Sequence, residues 1–203
     1  MLKEDKKIFQ ELKNVSERMG NNLDLIQLNG GNTSIKIDDL LYIKGSGMEL
    51  ANANKSNIFA KVDASAFQKK KELRIPFFDK NTVFDGIKPS IELDFHQLMN
   101  DKVVLHSHPI DIMARTIFFD EKNKLKHLLK DFNWTWIDYY KPGKTLAKQI
   151  KKSINLKKVS ILILQNHGLI VGGNTPNEAE KLQTELLKKV KLPKREFKFL
   201  ENK

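Results

Sequence analysis

Apolar side chains recur at Phe9, Leu12, Val15 and Met19 within residues 3 to 19. That is the spacing of a helix with one buried face, and Gly20 is placed to end it. The period then falls to two: SIKI and LLYIK flank Asp38 and Asp39, which predicts a β-hairpin. Residues 61 to 72 predict a strand end and a short helix begun near Asp63 or Ser65, followed by a polar link containing Pro76. In KPSIELDFHQLMNDK a helix is expected to start near Pro89 and Ser90 and to run through Leu93, Gln97 and Leu98. Glu92 then falls in its first turn, where a carboxylate complements the helix dipole. The apolar run VVL predicts a strand that ends on His106, Ser107, His108 and Pro109. Leu125, Leu128 and Leu129 in the charged segment 121 to 131 predict a surface helix, with His127 facing solvent. WTWIDYY reads as a short aromatic strand before a Pro-Gly turn, and a helix follows from about residue 144. ILILQ is a buried strand, Asn166 to Gly168 its tight exit, and LIVGG the returning strand. The last helix has Thr175, Pro176 and Glu178 at N-cap, N1 and N3, and one apolar face of Ala179, Leu182, Leu186 and Val190.

No repeat or low-complexity linker divides the 203 residues, so a single domain over 1–203 is expected, long enough to bury a core. The chain has no cysteine, which excludes disulfides and thiolate metal sites and leaves histidine and carboxylate as ligands. That composition suits a reducing cytoplasm. No apolar run approaches the roughly 20 residues needed to cross a membrane, and MLKEDKKIFQELKN is too polar and acidic for a signal peptide. The net charge of +11 admits anionic partners. The lysines are scattered and accompany no nucleic-acid motif, so neither nucleic acid nor membrane is expected as a partner.

Three of the five histidines stand at the ends of apolar runs. Side chains alternate faces along a strand, so His106 and His108 would point the same way. His167 follows a second buried strand in QNHGLIVGG. Singly, each reads more naturally as structural; together they supply three nitrogens, and three protein ligands leave a coordination position open for substrate. Glu92 has two readings, a helix-terminal charge or a proton-handling carboxylate. His96, one turn later, is either a partner of that carboxylate or a satisfied buried histidine. GGNTS at 30 to 34 and GSG at 45 to 47 would be brought side by side by the hairpin. Each is a turn on its own; paired, their glycines and free N–H groups could form a concave anion site.

The order GGNTS, IKGSG, KPSIE, HSHP, YYKPG, QNHGLIVGG resembles the class II aldolase/adducin-head family, from about residue 20 to 190. That family includes fuculose- and rhamnulose-phosphate aldolases and ribulose-phosphate 4-epimerase. The motifs look most similar to the aldolase domain of bifunctional rhamnulose-phosphate aldolase/alcohol dehydrogenases. The resemblance implies a three-layer α/β/α fold with a mixed, mostly antiparallel central sheet, assembled as a homotetramer with active sites between subunits. It makes His106, His108 and His167 the metal ligands, for Zn2+ first and Mn2+ or Co2+ as alternatives. Glu92 corresponds to the catalytic acid/base, and Gly31, Asn32, Ser46, Gly47 and Ser90 to the substrate phosphate-binding set. The implied activity is cleavage or formation of a carbon–carbon bond in a phosphorylated ketose through a metal-stabilised enediolate. Epimerisation, decarboxylation and dehydration use the same scaffold, and an adducin-like module would be non-catalytic. No dehydrogenase domain follows Lys203, and a third alternative is an aldolase-like subunit acting beside a separately encoded dehydrogenase. Two departures stand out. Ile91 replaces a second serine of the phosphate set, and neither the segment after HSHP nor the tail REFKFLENK holds a tyrosine that could serve as second acid, leaving Tyr139 or Tyr140.

Overall fold

The computed structural model describes residues 2–63, 83–84, 86–118, 120–156 and 159–193. The expected helix after Asp63, the link at Pro76 and the tail REFKFLENK lie outside them. The sequence order is α1 (Lys3–Gly20), β1 (Asn32–Ile37), β2 (Leu40–Lys44), a 3-10 turn (Leu50–Asn52), β3 (Phe59–Asp63), β4 (Val83–Phe84), α2 (Leu93–Leu98), β5 (Val103–Ser107), α3 (Ile110–Thr116), α4 (Glu121–Leu128), β6 (Trp134–Ile137), α5 (Lys144–Leu156), β7 (Ile161–Leu164), β8 (Gly168–Gly173) and α6 (Pro176–Val190). Among the described residues, no helix is long and apolar enough to cross a membrane.

The strands form one eight-stranded sheet in the order β4-β3-β2-β1-β5-β8-β7-β6. Of its described pairings, only β6 with β7 is parallel. Register sorts the side chains by face. Thr33 and Ile35 pair with Leu105 and Val103, and these odd positions, with Val171 and Ile161 further across, meet α1, α3, α4 and α6. Asn32 and Ser34 pair with His106 and Val104, and this even set faces α2 and α5, where Phe95, Leu146 and Ile150 pack on Val104, Leu162 and Ile170. Helices on both faces make the three-layer α/β/α architecture that the motifs implied. Leu12, Val15 and Met19 of α1 are fully buried, each such burial stabilising by about 1.5–3 kcal/mol over exposure.

The hairpin forms as expected, with Ile37 opposite Leu40 and Asp38 at φ +51° in the two-residue turn. Thr175 caps α6 by accepting a hydrogen bond from the Glu178 amide at 3.2 Å. One expectation fails locally. The helix anticipated from Pro89 begins only at Leu93, with Glu92 as its N-cap. Residues 88 to 90 are instead drawn into extended pairing with the end of β2: Ser46 N–H donates to Lys88 O, and Ser90 N–H to Lys44 O. The segment directly after HSHP, left unassigned by its pattern, is the seven-residue helix α3. It is held from outside, since Arg115 ion-pairs with Glu121 and donates to Val190 O.

Candidate metal centre and its carboxylate

Four chain segments converge at the C-terminal end of β5. His106 occupies its last turn of pleat, on the α2 face. His108 lies just past the strand, with its amide fixed to Leu25 O at 2.9 Å. His167 sits in the three-residue turn between β7 and β8, where Asn166 takes φ +51°. Glu92 enters from the N-cap of α2. The three rings stand 4.8, 4.9 and 5.3 Å apart by centroid. This close approach depends on missing side-chain atoms: a Cβ on Gly168 would meet Ser107 O at 2.3 Å, and one on Gly31, at φ +59°, would meet His106 O at 2.7 Å.

The donors point inward. His106 Nδ1 lies 3.0 Å from Leu169 O, so it carries the hydrogen and turns a bare Nε2 toward the site. That Nε2 is 3.1 Å from His108 Nε2 and 3.4 Å from Glu92 Oε2. His167 Nε2 is 3.2 Å from Glu92 Oε1, a buried oxygen with no hydrogen-bond partner. Bonds of about 2.05 Å at the tetrahedral angle place neighbouring ligand atoms ~3.3 Å apart. The 3.1 Å between His106 and His108 is close to that value, and with His167 the three imidazoles could hold a divalent cation, their ligand atoms all within 4.8 Å of one another. Burial pushes His106 down to about 3 and lowers His108, so both are neutral and ligand-ready at pH 7.

Glu92 is buried. Burial alone would raise its pKa, but His106, His167 and an Asn32 hydrogen bond outweigh it and hold the carboxyl well below the usual range. Asn32 Nδ2 donates to Glu92 Oε2 at 2.8 Å and to Ser90 Oγ at 3.2 Å. The side chain of Asn32 therefore faces the carboxylate. Ser90 is beside it, whereas Ser46 and Gly47 are exposed on the adjoining loop.

Sequence reasoning passed over Lys44. It is buried, and its ammonium donates to Asn29 O at 2.7 Å and Met48 O at 2.8 Å, tying the GGN loop to the GSG loop. Burial pushes it down to about 8, against the opposing pull of Glu92 and Glu49. A lysine closing an apolar strand directly before Gly-Ser-Gly was the available signal.

The depressed histidines fix a pH dependence. His96, His106 and His108 all lie below 6.5 in the folded chain, each mainly through burial, and regain about 6.5 when unfolded. The stability of the neutral fold is fully present above that pH and is lost as pH falls toward the folded values. Glu92, also lowered, adds loss of the same sign below its unfolded value. Each proton taken up on unfolding steepens the loss by about 1.4 kcal/mol per pH unit. Metal-free protein in chelator should melt well below its pH 7.5 temperature at pH 4.5; equal melting temperatures would contradict neutral burial.

The family model described as Class II Aldolase and Adducin N-terminal domain matches residues 10–191. An L-fuculose phosphate aldolase of Methanococcus vannielii is 28% identical over 171 residues, covering 79% of this chain and 81% of that protein. An uncharacterized oxidoreductase, YuxG, of Bacillus subtilis is 26% identical over 184 residues, 82% of this chain. The chain spans only 26% of that relative's length. Among solved structures, the N-terminal class II aldolase domain of a conserved Thermoplasma acidophilum protein superposes with a TM-score of 0.76 at 24% identity, covering 89% of this chain and 90% of that one. With the matched model extending over nearly its whole length, this chain belongs to the class II aldolase and adducin N-terminal domain family.

Proposed function

We propose that this protein is a divalent-metal-dependent lyase of the aldolase type, breaking or forming a carbon–carbon bond in a phosphorylated ketose. The observation that carries the reading is a buried carboxylate set 3.2 and 3.4 Å from two of three inward-facing imidazoles. His106, His108 and His167 would hold the cation, Zn2+ ahead of Mn2+ or Co2+. When bound, it would supply Lewis-acid stabilisation of the negative charge that develops on a substrate carbonyl oxygen.

The chain's own groups account for the rest. Glu92, ionised in the resting site, accepts a proton from carbon and returns it in the reverse direction. Gly31, Ser46, Gly47 and Ser90 would hold the phosphate, with Lys44 fixing the distance between the two loops. Anchoring that remote group turns binding energy into orientation of the reacting carbon against Glu92. Asn32 belongs to the same loop set, but its side chain serves the carboxylate. Epimerisation, decarboxylation and dehydration on the same scaffold differ in their products, which separates them from aldol chemistry.

Assembly as a homotetramer with sites between subunits is part of the proposal. It is supported by Leu28 and Ile91, 86% and 64% exposed beside the site loops. An oxidoreductase acting alongside is supported by the match to part of the Bacillus protein.

The test uses dihydroxyacetone phosphate, a small phosphorylated hydroxyketone, in D2O with Zn2+, Mn2+ or Co2+. Stereospecific exchange of one carbon-bound hydrogen, followed by carbon–carbon bond formation when an aldehyde is added, is the expected result. Protein that takes up no divalent ion and exchanges no hydrogen would be a non-catalytic module instead.

A further inference from the structure

A buried line of hydrogen bonds reaches Glu92 from β1 through a histidine outside the imidazole trio. His96, in α2, is fully buried and stacked on Phe95 at 4.8 Å between centroids. Its Nδ1 is 2.7 Å from Ser34 Oγ, and its Nε2 is hydrogen-bonded to Asn32 Oδ1. Asn32 and Ser34 are two apart on β1, so they share the face that looks onto α2. One rigid ring with nitrogens on opposite sides bridges them, and Asn32 passes the connection on to Glu92 Oε2.

The polarity of this line is determined by chemistry. A carboxamide has one donor end and one acceptor end. With its NH2 on a carboxylate, Asn32 must turn its oxygen to His96, which requires a hydrogen on Nε2. Nδ1 is then bare and accepts from the Ser34 hydroxyl. The reverse setting would place an amide oxygen 2.8 Å from the Glu92 oxygen, with no hydrogen between two acceptors. A side chain at 96 without an Nε2-like donor leaves a buried amide oxygen unpaired, a penalty that turning the amide can relieve only by taking its donor off Glu92.

We propose that His96 is a positioning residue for the reaction: its Nε2–H locks the Asn32 carboxamide, and the locked amide holds the Glu92 carboxylate in place. The consequence for turnover rests on Glu92 being the proton acceptor; the locking itself does not. Outer groups of this kind are typically worth 10–100-fold in activity or metal affinity.

The test compares wild type, His96→Gln, whose amide can still donate to Asn32, and His96→Leu, which cannot. In metal-free, 15N-labelled protein at pH 7, the ring nitrogens of His96 should report the neutral Nε2–H tautomer. The two Asn32 amide protons should keep close to their wild-type shifts in His96→Gln and move toward those of an unbonded side-chain amide in His96→Leu. In deuterium exchange of dihydroxyacetone phosphate, His96→Leu should lose about 10–100-fold in kcat. KM and bound metal should be unchanged, and His96→Gln should recover most of the loss. An Nδ1–H tautomer or an imidazolium, or Asn32 resonances unaltered in His96→Leu, would overturn the proposal. If His96→Leu does not fold, the wild-type tautomer and the Asn32 resonances of His96→Gln decide it. Absence of exchange in wild type overturns the aldolase reading alone, since the tautomer and amide signals still judge the lock.

Discussion

Glu92→Gln should bind one divalent ion per chain as wild type does and exchange the carbon-bound hydrogen of dihydroxyacetone phosphate about 10²–10⁴-fold more slowly, the range for loss of a positioned acid–base group. The metal should stay because the three imidazoles are untouched: His106 keeps its tautomer through Leu169 O, and His108 keeps its backbone anchor on Leu25. The fold should stay because Gln is nearly isosteric with Glu and its amide oxygen can still accept from Asn32. What is lost is basicity. Metal analysis and exchange by proton NMR on the same sample check both halves. Near-normal exchange would remove Glu92 from proton transfer, and loss of the metal would make it chiefly a ligand.

Much of this candidate site is legible in the sequence, for definite reasons. His106 and His108 announce themselves because a buried strand of VVL leaves little ambiguity of register, and period two then sets the face of the first histidine. His167 stands out because a Gly follows it in a turn between two apolar runs. The start of α2 was misread because Pro89 and Ser90 carry start signals as strong as any in the chain. Their pairing with Gly45 and Lys44 is a long-range contact that local pattern does not encode. α3 was missed for the same kind of reason: of its seven residues only Ile112 and Thr116 are buried, too few to establish a period. The roles of Lys44, Asn32 and His96 depend on which atoms meet across the sheet. His96 illustrates this, since the alternatives of satisfied core histidine and partner of the carboxylate prove to be one arrangement, with Asn32 standing between the two.

His167→Ala should separate the metal from the fold. The His167 side chain is 12% exposed and its Nδ1 has no hydrogen-bond partner, so removing the ring takes from the metal-free protein a single polar contact, the 3.2 Å approach of Nε2 to Glu92 Oε1. His106 is a poorer choice, because it is fully buried, bonded to Leu169 O and packed edge-on against Phe95. If a zinc site of four ligands is worth about 10–16 kcal/mol, each ligand carries about 2.5–4 kcal/mol, or ~10²–10³-fold in affinity. At a free metal concentration about 1,000 times the wild-type Kd, binding raises wild-type stability by about 4.1 kcal/mol. The variant, at the same concentration, gains only about 0.4–1.4 kcal/mol. For a domain of this size the difference of ~3 kcal/mol corresponds to about 6–12 °C in the metal-induced rise of Tm. The metal-free variant should melt close to metal-free wild type. A full metal-induced rise in His167→Ala would show that the cation is held without this turn, and the three-histidine assignment would fall with it.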